Sequence, residues 1–219
     1  MAKPEIPRPE IIGSLRSTYT RAIAMVCEEK GIEYTLTEVP LRAPELLAIH
    51  PFGRMPVLRH GDLELFESAA IALWLDKSFP APFVFPQGAR EAALCEQWVS
   101  LVNTTIDRTL IRTYLLCYLA PGTPDGTPNR AGIAAVMPEV ERQVGVLDKA
   151  VAATGHLVGE SFSYADINLM PILHRLGQFP EGGAALAAAD TLAAYYQRHS
   201  QRPSFRKTDP PAGPPRRTG

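Results

Sequence analysis

Four hydroxyl side chains, Ser14, Ser17, Thr18 and Tyr19, follow Gly13 and lead into an apolar pattern of helical spacing. A hydroxyl at the start of a helix can cap free backbone amides, or it can donate to a bound anion that the helix dipole also favours. Glu67-Ser68 opens a second helical pattern, where unpaired N–H groups suit a carboxylate as readily as they suit a plain serine cap. Pro56 follows Met55 at the entry to a strand, which a trans proline there would simply cap. The five histidines are scattered without HExxH spacing, so no metal site is expected.

The elements that must position these residues change character along the chain. Before residue 80 helix and strand signals alternate. Ile11-Ile12 reads as a short buried strand; Tyr19, Ile23 and Val26 form one helix face that should stop at Gly31; residues 33–39 (EYTLTEV) read as a strand. Residues 57–59 and 63–65 flank His60-Gly61-Asp62 as a tight hairpin, and Ser68 serves as N-cap of a helix carrying Ile71, Trp74, Leu75 and Phe79. The order is β-α-β, a connecting segment, then β-β-α. A Pro-rich stretch, with Pro80, Pro82 and Pro86, closes this part. Beyond it the pattern is helical: about Leu94 to Leu119, Arg130 to about Val151 with a kink or a true start at Pro138, a helix through Ala165 and Leu176, and at least one more between Leu186 and His199. The expected division is a mixed α/β domain over 1–80, a linker over 81–88, an all-helical domain over 89–208 and a flexible Pro-rich tail over 209–219.

Composition excludes several classes. Apolar residues at 46% and charged residues at 21% suit a globular protein of 219 residues, long enough to bury a core without staples. A formal net charge of −1 argues against nucleic-acid binding. No apolar run reaches membrane-spanning length, and Met1 to Pro9 carries no signal-peptide core. Three cysteines without CxxC spacing fit a reduced, cytoplasmic protein.

Five short segments occur in a fixed order. They are Gly13-Ser14-Leu15-Arg16-Ser17-Thr18-Tyr19-Thr20-Arg21, His50-Pro51-Phe52-Gly53-Arg54-Met55-Pro56-Val57-Leu58, Phe66-Glu67-Ser68-Ala69-Ala70-Ile71, Ser163-Tyr164-Ala165-Asp166-Ile167 and Arg202-Pro203-Ser204-Phe205. Together they resemble the cytosolic glutathione transferase family, in its serine-type, phi-like or bacterial form, across nearly the whole chain. The resemblance implies a thioredoxin-like first domain, a helical second domain, glutathione as co-substrate and no cofactor. It implies that Met55 and a cis Pro56 pair with the cysteinyl backbone of glutathione, that Ser68 and Glu67 take its γ-glutamyl carboxylate and amine, and that Arg42 takes the glycyl carboxylate. It makes Ser17 the catalytic hydroxyl, with Ser14, Thr18 and Tyr19 as alternatives. A free thiol has a pKa of about 8.5, and lowering it by roughly two units needs about 2.7 kcal/mol, within reach of one charge-assisted bond and a helix terminus. Leu15 stands where proline is common in the family, Leu41 where histidine is frequent, and His50 where asparagine is usual, read as a local variation of the turn. Leu15, Tyr114 and Tyr118 are candidate acceptor-pocket residues.

The expected activity is conjugation of the glutathione thiolate to a small, partly apolar electrophile by a cytoplasmic homodimer, with no nucleic acid and no membrane among its partners. A non-catalytic glutathione- or ligand-binding protein of the same fold, and a glutathione-dependent isomerase or dehalogenase, are the alternatives. Ser163-x-x-Asp166 is a capping box with Phe162 and Ile167 as its staple, a folding element whose loss typically costs ~0.5–2 kcal/mol.

Overall fold

A computed structural model describes residues 7–211. They divide into two compact units: one runs to Pro82 and takes up the chain again from Pro203, and the other is Phe83–Arg202.

In the first unit, β1 (Glu10–Gly13), α1 (Thr18–Lys30) and β2 (Thr35–Glu38) are followed by a short helix α2 (Pro44–Ile49). The hairpin β3 (Val57–His60) and β4 (Leu63–Phe66) then leads to α3 (Ser68–Ser78). The sheet order is β2-β1-β3-β4, with β1 parallel to β2 and antiparallel to β3, and β3 antiparallel to β4. This is the βαβ–ββα arrangement of a thioredoxin-like domain. Alternation along β1 sends Ile11 and Ile12 to opposite sheet faces, and both are buried. Ile12 joins Val39, Ala43, Leu46 and Val57, so the connecting segment is a helix packed on that face. Pro44 at its first turn and Glu45 beside it supply the N-terminal signals that six residues of weak periodicity did not make obvious. α1 and α3 pack together, and Ile23 and Val26 on the first and Ile71 and Leu75 on the second are buried. α1 stops where Gly31 takes φ 66° and returns its N–H to Cys27 and Glu28 carbonyls.

A buried ion pair fixes the end of α1. Lys30 Nζ lies 3.3 Å from Asp76 Oδ1 of α3 and donates to the carbonyls of Pro80 at 3.1 Å and Pro82 at 2.8 Å. The Ala81-Pro82 peptide is cis, as is Met55-Pro56.

The second unit holds α4 (Ala89–Leu101), α5 (Leu116–Leu119), α6 (Arg130–Val151), α7 (Tyr164–Gly177), α8 (Pro180–Ala187) and α9 (Asp190–Ser200). Between α4 and α5 the chain winds as wide π-helical turns over Val102–Ile106 and Arg108–Leu115. Contacts five residues apart mark the wider turn: Arg112 Nε to Asp107 Oδ2 at 2.9 Å, and Thr113 Oγ1 to the Arg108 carbonyl at 2.9 Å. α6 starts at its Asn129 cap and continues through Pro138, so the proline does not mark its start. The Ser163–Asp166 capping box is formed at α7. Where at least one more helix was expected around residues 186–199 there are two, α8 and α9.

The last helix, α10 (Pro203–Lys207), groups with the first unit, which shortens the helical unit from the expected residue 208 to Arg202. The cause is Arg21 on α1, a buried guanidinium stacked 4.0 Å above the Phe205 ring and donating to the Phe205 carbonyl at 2.9 Å and to Asp209 at 3.1 Å. Of the expected tail, residues 212–219 lie outside the described residues. No helix among the described residues is long and apolar enough to cross a membrane.

Candidate active site

Strand register gathers the candidate residues. Val57 faces Ile12 on one side and Phe66 on the other, and Gly13 faces Glu38. The segments beginning at Gly13, ending at Pro56 and beginning at Glu67 therefore leave the sheet at the same end. Close packing there requires glycine at position 13: a Cβ would lie 2.7 Å from Thr20 Oγ1 and 3.2 Å from Met55 Cβ.

Ser17 is the N-cap of α1, held by its N–H to the Ser14 carbonyl at 2.9 Å. Its Oγ accepts from the Thr20 N–H at 3.4 Å. That contact uses an oxygen lone pair, so the hydroxyl proton stays available for donation. The other hydroxyls differ. Ser14 Oγ donates to Glu38 Oε1 and accepts from the Arg16 N–H, both at 3.4 Å. Thr18 is buried, and Tyr19 is half-buried in the first turn of α1. Ser17 alone of the four is both the helix cap and partly open to solvent. Leu15, also half-buried, lies in the turn just before it.

The β3 ladder begins at Val57, leaving the Met55 amide and carbonyl outside it. Ser68 is buried as the first residue of α3, and the N-cap position belongs to Glu67, contrary to the expectation that Ser68 would cap. Glu67 has φ 68° and makes no side-chain cap bond. The first backbone bond of the helix is Ile71 N–H to the Glu67 carbonyl at 3.0 Å, so the amides ahead of Ile71 keep the anion-binding capacity of a helix start. Arg42 adopts φ 64°, and its N–H donates to the Gly53 carbonyl at 3.2 Å. Its side chain is exposed.

The two tyrosines do not share this environment. Tyr114 is wholly buried, which removes it from any open pocket in the helical unit. Its hydroxyl accepts from the Gly182 N–H at 2.8 Å and donates to Glu181 at 3.2 Å, and burial pushes its pKa up. Tyr118 is half-buried and also donates to Glu181, which Arg130 approaches at 3.1 Å. Burial opposes ionisation of Glu181, but hydrogen bonds from Tyr118, its own backbone and Tyr114, with the Arg130 charge, hold its carboxyl below the usual range. Both phenols thus tie the π-helical segment and α5 to α8. A groove of about 570 Å³ in this unit is lined by Met137, Val144, Asp148, Glu181, Ala184 and Ala188, and by neither tyrosine.

Sequence reasoning passed over two residues at the sheet end. Glu38 is the partner of Ser14. His50 is buried, with Nδ1 accepting from the Phe52 N–H at 3.0 Å and Nε2 3.7 Å from Glu67 Oε1. The only signal was histidine where the resemblance leads one to expect asparagine. No group of three or more His, Cys, Asp or Glu among the described residues is arranged to hold a metal ion.

A thioredoxin-like sheet whose third strand is entered through a cis proline, joined to an all-helical unit, defines the class of fold. Family profiles match both parts: the glutathione S-transferase N-terminal domain over residues 16–78 and the glutathione S-transferase C-terminal domain over residues 108–203. The chain belongs to the glutathione S-transferase family. Its relatives include glutathione S-transferase 4 of Zea mays, 27% identical with 92% of each chain covered. Glutathione S-transferase F10 of Arabidopsis thaliana is 28% identical, covering 90% of this chain and 94% of its own. Among solved structures, glutathione S-transferase III in apo form superposes with a TM-score of 0.82 at 27% identity, over 95% of this chain and 99% of that one. A theta-class glutathione S-transferase of Xanthomonas axonopodis pv. citri, solved with glutathione bound, has a TM-score of 0.78 at 28% identity, over 93% and 97% of the two chains.

Proposed function

We propose that this protein is a glutathione transferase that holds the tripeptide at the gathered end of the sheet and directs its sulfur, as thiolate, at a carbon of a small, partly apolar electrophile. Attack forms the C–S bond, and the electrophile either loses its leaving group or takes up a proton. Ser17 donates a hydrogen bond to the sulfur and needs to be neither base nor nucleophile, because the cap of α1 adds the field of the helix terminus. Met55 offers its backbone to the cysteinyl unit as an added strand would, on the turn made by Pro56. Ser68 and the first amides of α3 take the γ-glutamyl carboxylate, Glu67 faces the amine, and Arg42 takes the glycyl carboxylate. Leu15, beside Ser17, faces the acceptor.

The observation that carries this reading is the uncommitted hydroxyl proton of Ser17 at the start of α1. Removing one stabilising donor costs on the order of 10²-fold in turnover, so Ser17→Ala should lose about that much with chlorodinitrobenzene and raise the pKa of bound glutathione. Unchanged values of both would move the role to another hydroxyl. Retention on immobilised glutathione without turnover of any electrophile would make the protein a binding module.

The protein is further proposed to act as a cytoplasmic homodimer. Phe52 at 72% exposure, with Phe66 and Leu73 also exposed on the same unit, supports burial of this surface against a second copy. The three free cysteines suit a reducing compartment.

A further inference from the structure

Glu67 is an exposed carboxylate on a backbone in the left-handed region, with no side-chain bond into its own helix. A side chain so placed would ordinarily sample several rotamers. Its one titratable neighbour within ion-pair distance among the described residues is His50, whose ring is buried between the loop and the Phe66 ring, 4.9 Å away. The Phe52 N–H donates to His50 Nδ1, which in the neutral imidazole puts the proton on Nε2. Nε2 is the nitrogen that points to Glu67 Oε1, at 3.7 Å. A fixed N–H thus faces one carboxylate oxygen and leaves Oε2 for a cation.

We infer that His50 is a positioning residue for Glu67, setting the carboxylate that recognises the amine of the γ-glutamyl group; this rests on the glutathione reading of the site. The turn locks the ring, the ring orients the carboxylate, and the carboxylate selects a ligand that carries an ammonium group. Two substitutions separate the halves of the imidazole. His50→Asn can still accept from the Phe52 N–H through its Oδ1, but it is too short to reach Glu67. His50→Gln can reach toward Glu67 with its amide and lacks the acceptor at the Nδ1 position.

The test is calorimetry on the full chain with glutathione and with glutaryl-cysteinyl-glycine, the same tripeptide without its α-amine. The wild type should bind glutathione more tightly than the analogue. H50N should lose about three- to tenfold of its glutathione affinity, the scale of one modest polar contact, and bind the analogue unchanged. The KM for glutathione should rise by the same factor with kcat preserved, and H50N should add nothing on an E67Q background. H50Q should keep the discrimination between the two ligands. Equal weakening of both ligands by H50N, no weakening of either, or loss of discrimination in H50Q would each overturn the role of His50. H50Q decides alone if H50N does not fold. A wild type that binds neither ligand would instead overturn the glutathione reading itself.

Discussion

Replacing Asp166 with alanine should cost far more than the loss of an ordinary helix cap. Four donors converge on this buried carboxylate at the start of α7. Oδ1 accepts from the Leu157 N–H at 2.8 Å and the Tyr195 hydroxyl at 3.0 Å, and Oδ2 accepts from the Ser163 N–H at 2.9 Å and the Ser163 hydroxyl at 3.0 Å. The Ser163 hydroxyl can rotate to another acceptor, whereas the two backbone amides are fixed and the Tyr195 phenol is buried. Each buried donor left unsatisfied costs about 1–3 kcal/mol, so Asp166→Ala should lose about 3–9 kcal/mol, a large part of the ~5–15 kcal/mol that holds a typical protein folded. Asp166→Asn should fall in between: its oxygen can serve Leu157 and Tyr195, while its amide meets the Ser163 N–H donor to donor. Urea unfolding followed by circular dichroism measures the loss, with Trp98 fluorescence reporting on the helical unit and Trp74 on the other. At this size ~1 kcal/mol moves Tm by about 2–4 °C, so the alanine variant should melt roughly 10 °C lower or more. Glutathione affinity, measured well below that temperature, should be unchanged. A loss below about 2 kcal/mol would refute the reasoning and return Asp166 to the range of an exposed cap.

The other predictions concern ion pairing and pH. Lys30→Met removes the buried charge that faces the Asp76 carboxylate and should cost about 3–5 kcal/mol, whereas Lys30→Met with Asp76→Leu should recover most of it; equal denaturation midpoints for the two variants would contradict this. His199 is buried against the rings of Phe162 and Tyr195, and burial with the nearby charges of Arg198, His156 and Arg202 pulls its pKa from 6.5 down to about 4. The unfolded chain then binds this proton first. Stability is full above pH 6.5 and is lost as pH falls toward 4, by about 3 kcal/mol from this group, with His156 acting in the same direction. Asp166 works the opposite way, since burial raises its pKa and favours the folded state on acidification above its ordinary value of 3.8. His199→Phe should flatten the acid limb of the stability curve between pH 6.5 and 4, and an unaltered limb would assign it to other groups.

The elements were legible where their signals are local. The period of apolar residues along α1 and α3, the αL glycine ending α1, the hairpin at residues 60–62 and the Ser163–Asp166 box all depend on neighbours within a few positions. So did the succession of a βαβ–ββα half and a helical half, which with five ordered segments gave the family. Short or irregular elements were not legible. α2 has one buried apolar residue in six positions, and apolar spacing does not distinguish a π-helical turn from an α-helical one over 102–115.

What only the tertiary structure decided are contacts between residues distant in sequence. Among four neighbouring hydroxyls, Ser14 is taken by Glu38 across the β1–β2 register and Thr18 is enclosed, which leaves Ser17 as the capping, partly open one. Tyr114 became an internal strut because Gly182 and Glu181, nearly seventy residues on, meet its hydroxyl. His50 turned from a variant loop residue into a neighbour of Glu67, and Arg21 carried α10 back to the first unit. Sequence determined the residue types and local periods because backbone propensity and capping act over a turn or two. Which of those side chains stays exposed, which proton stays free and which charge finds a partner are set by burial and register, and these exist only once the chain has closed on itself.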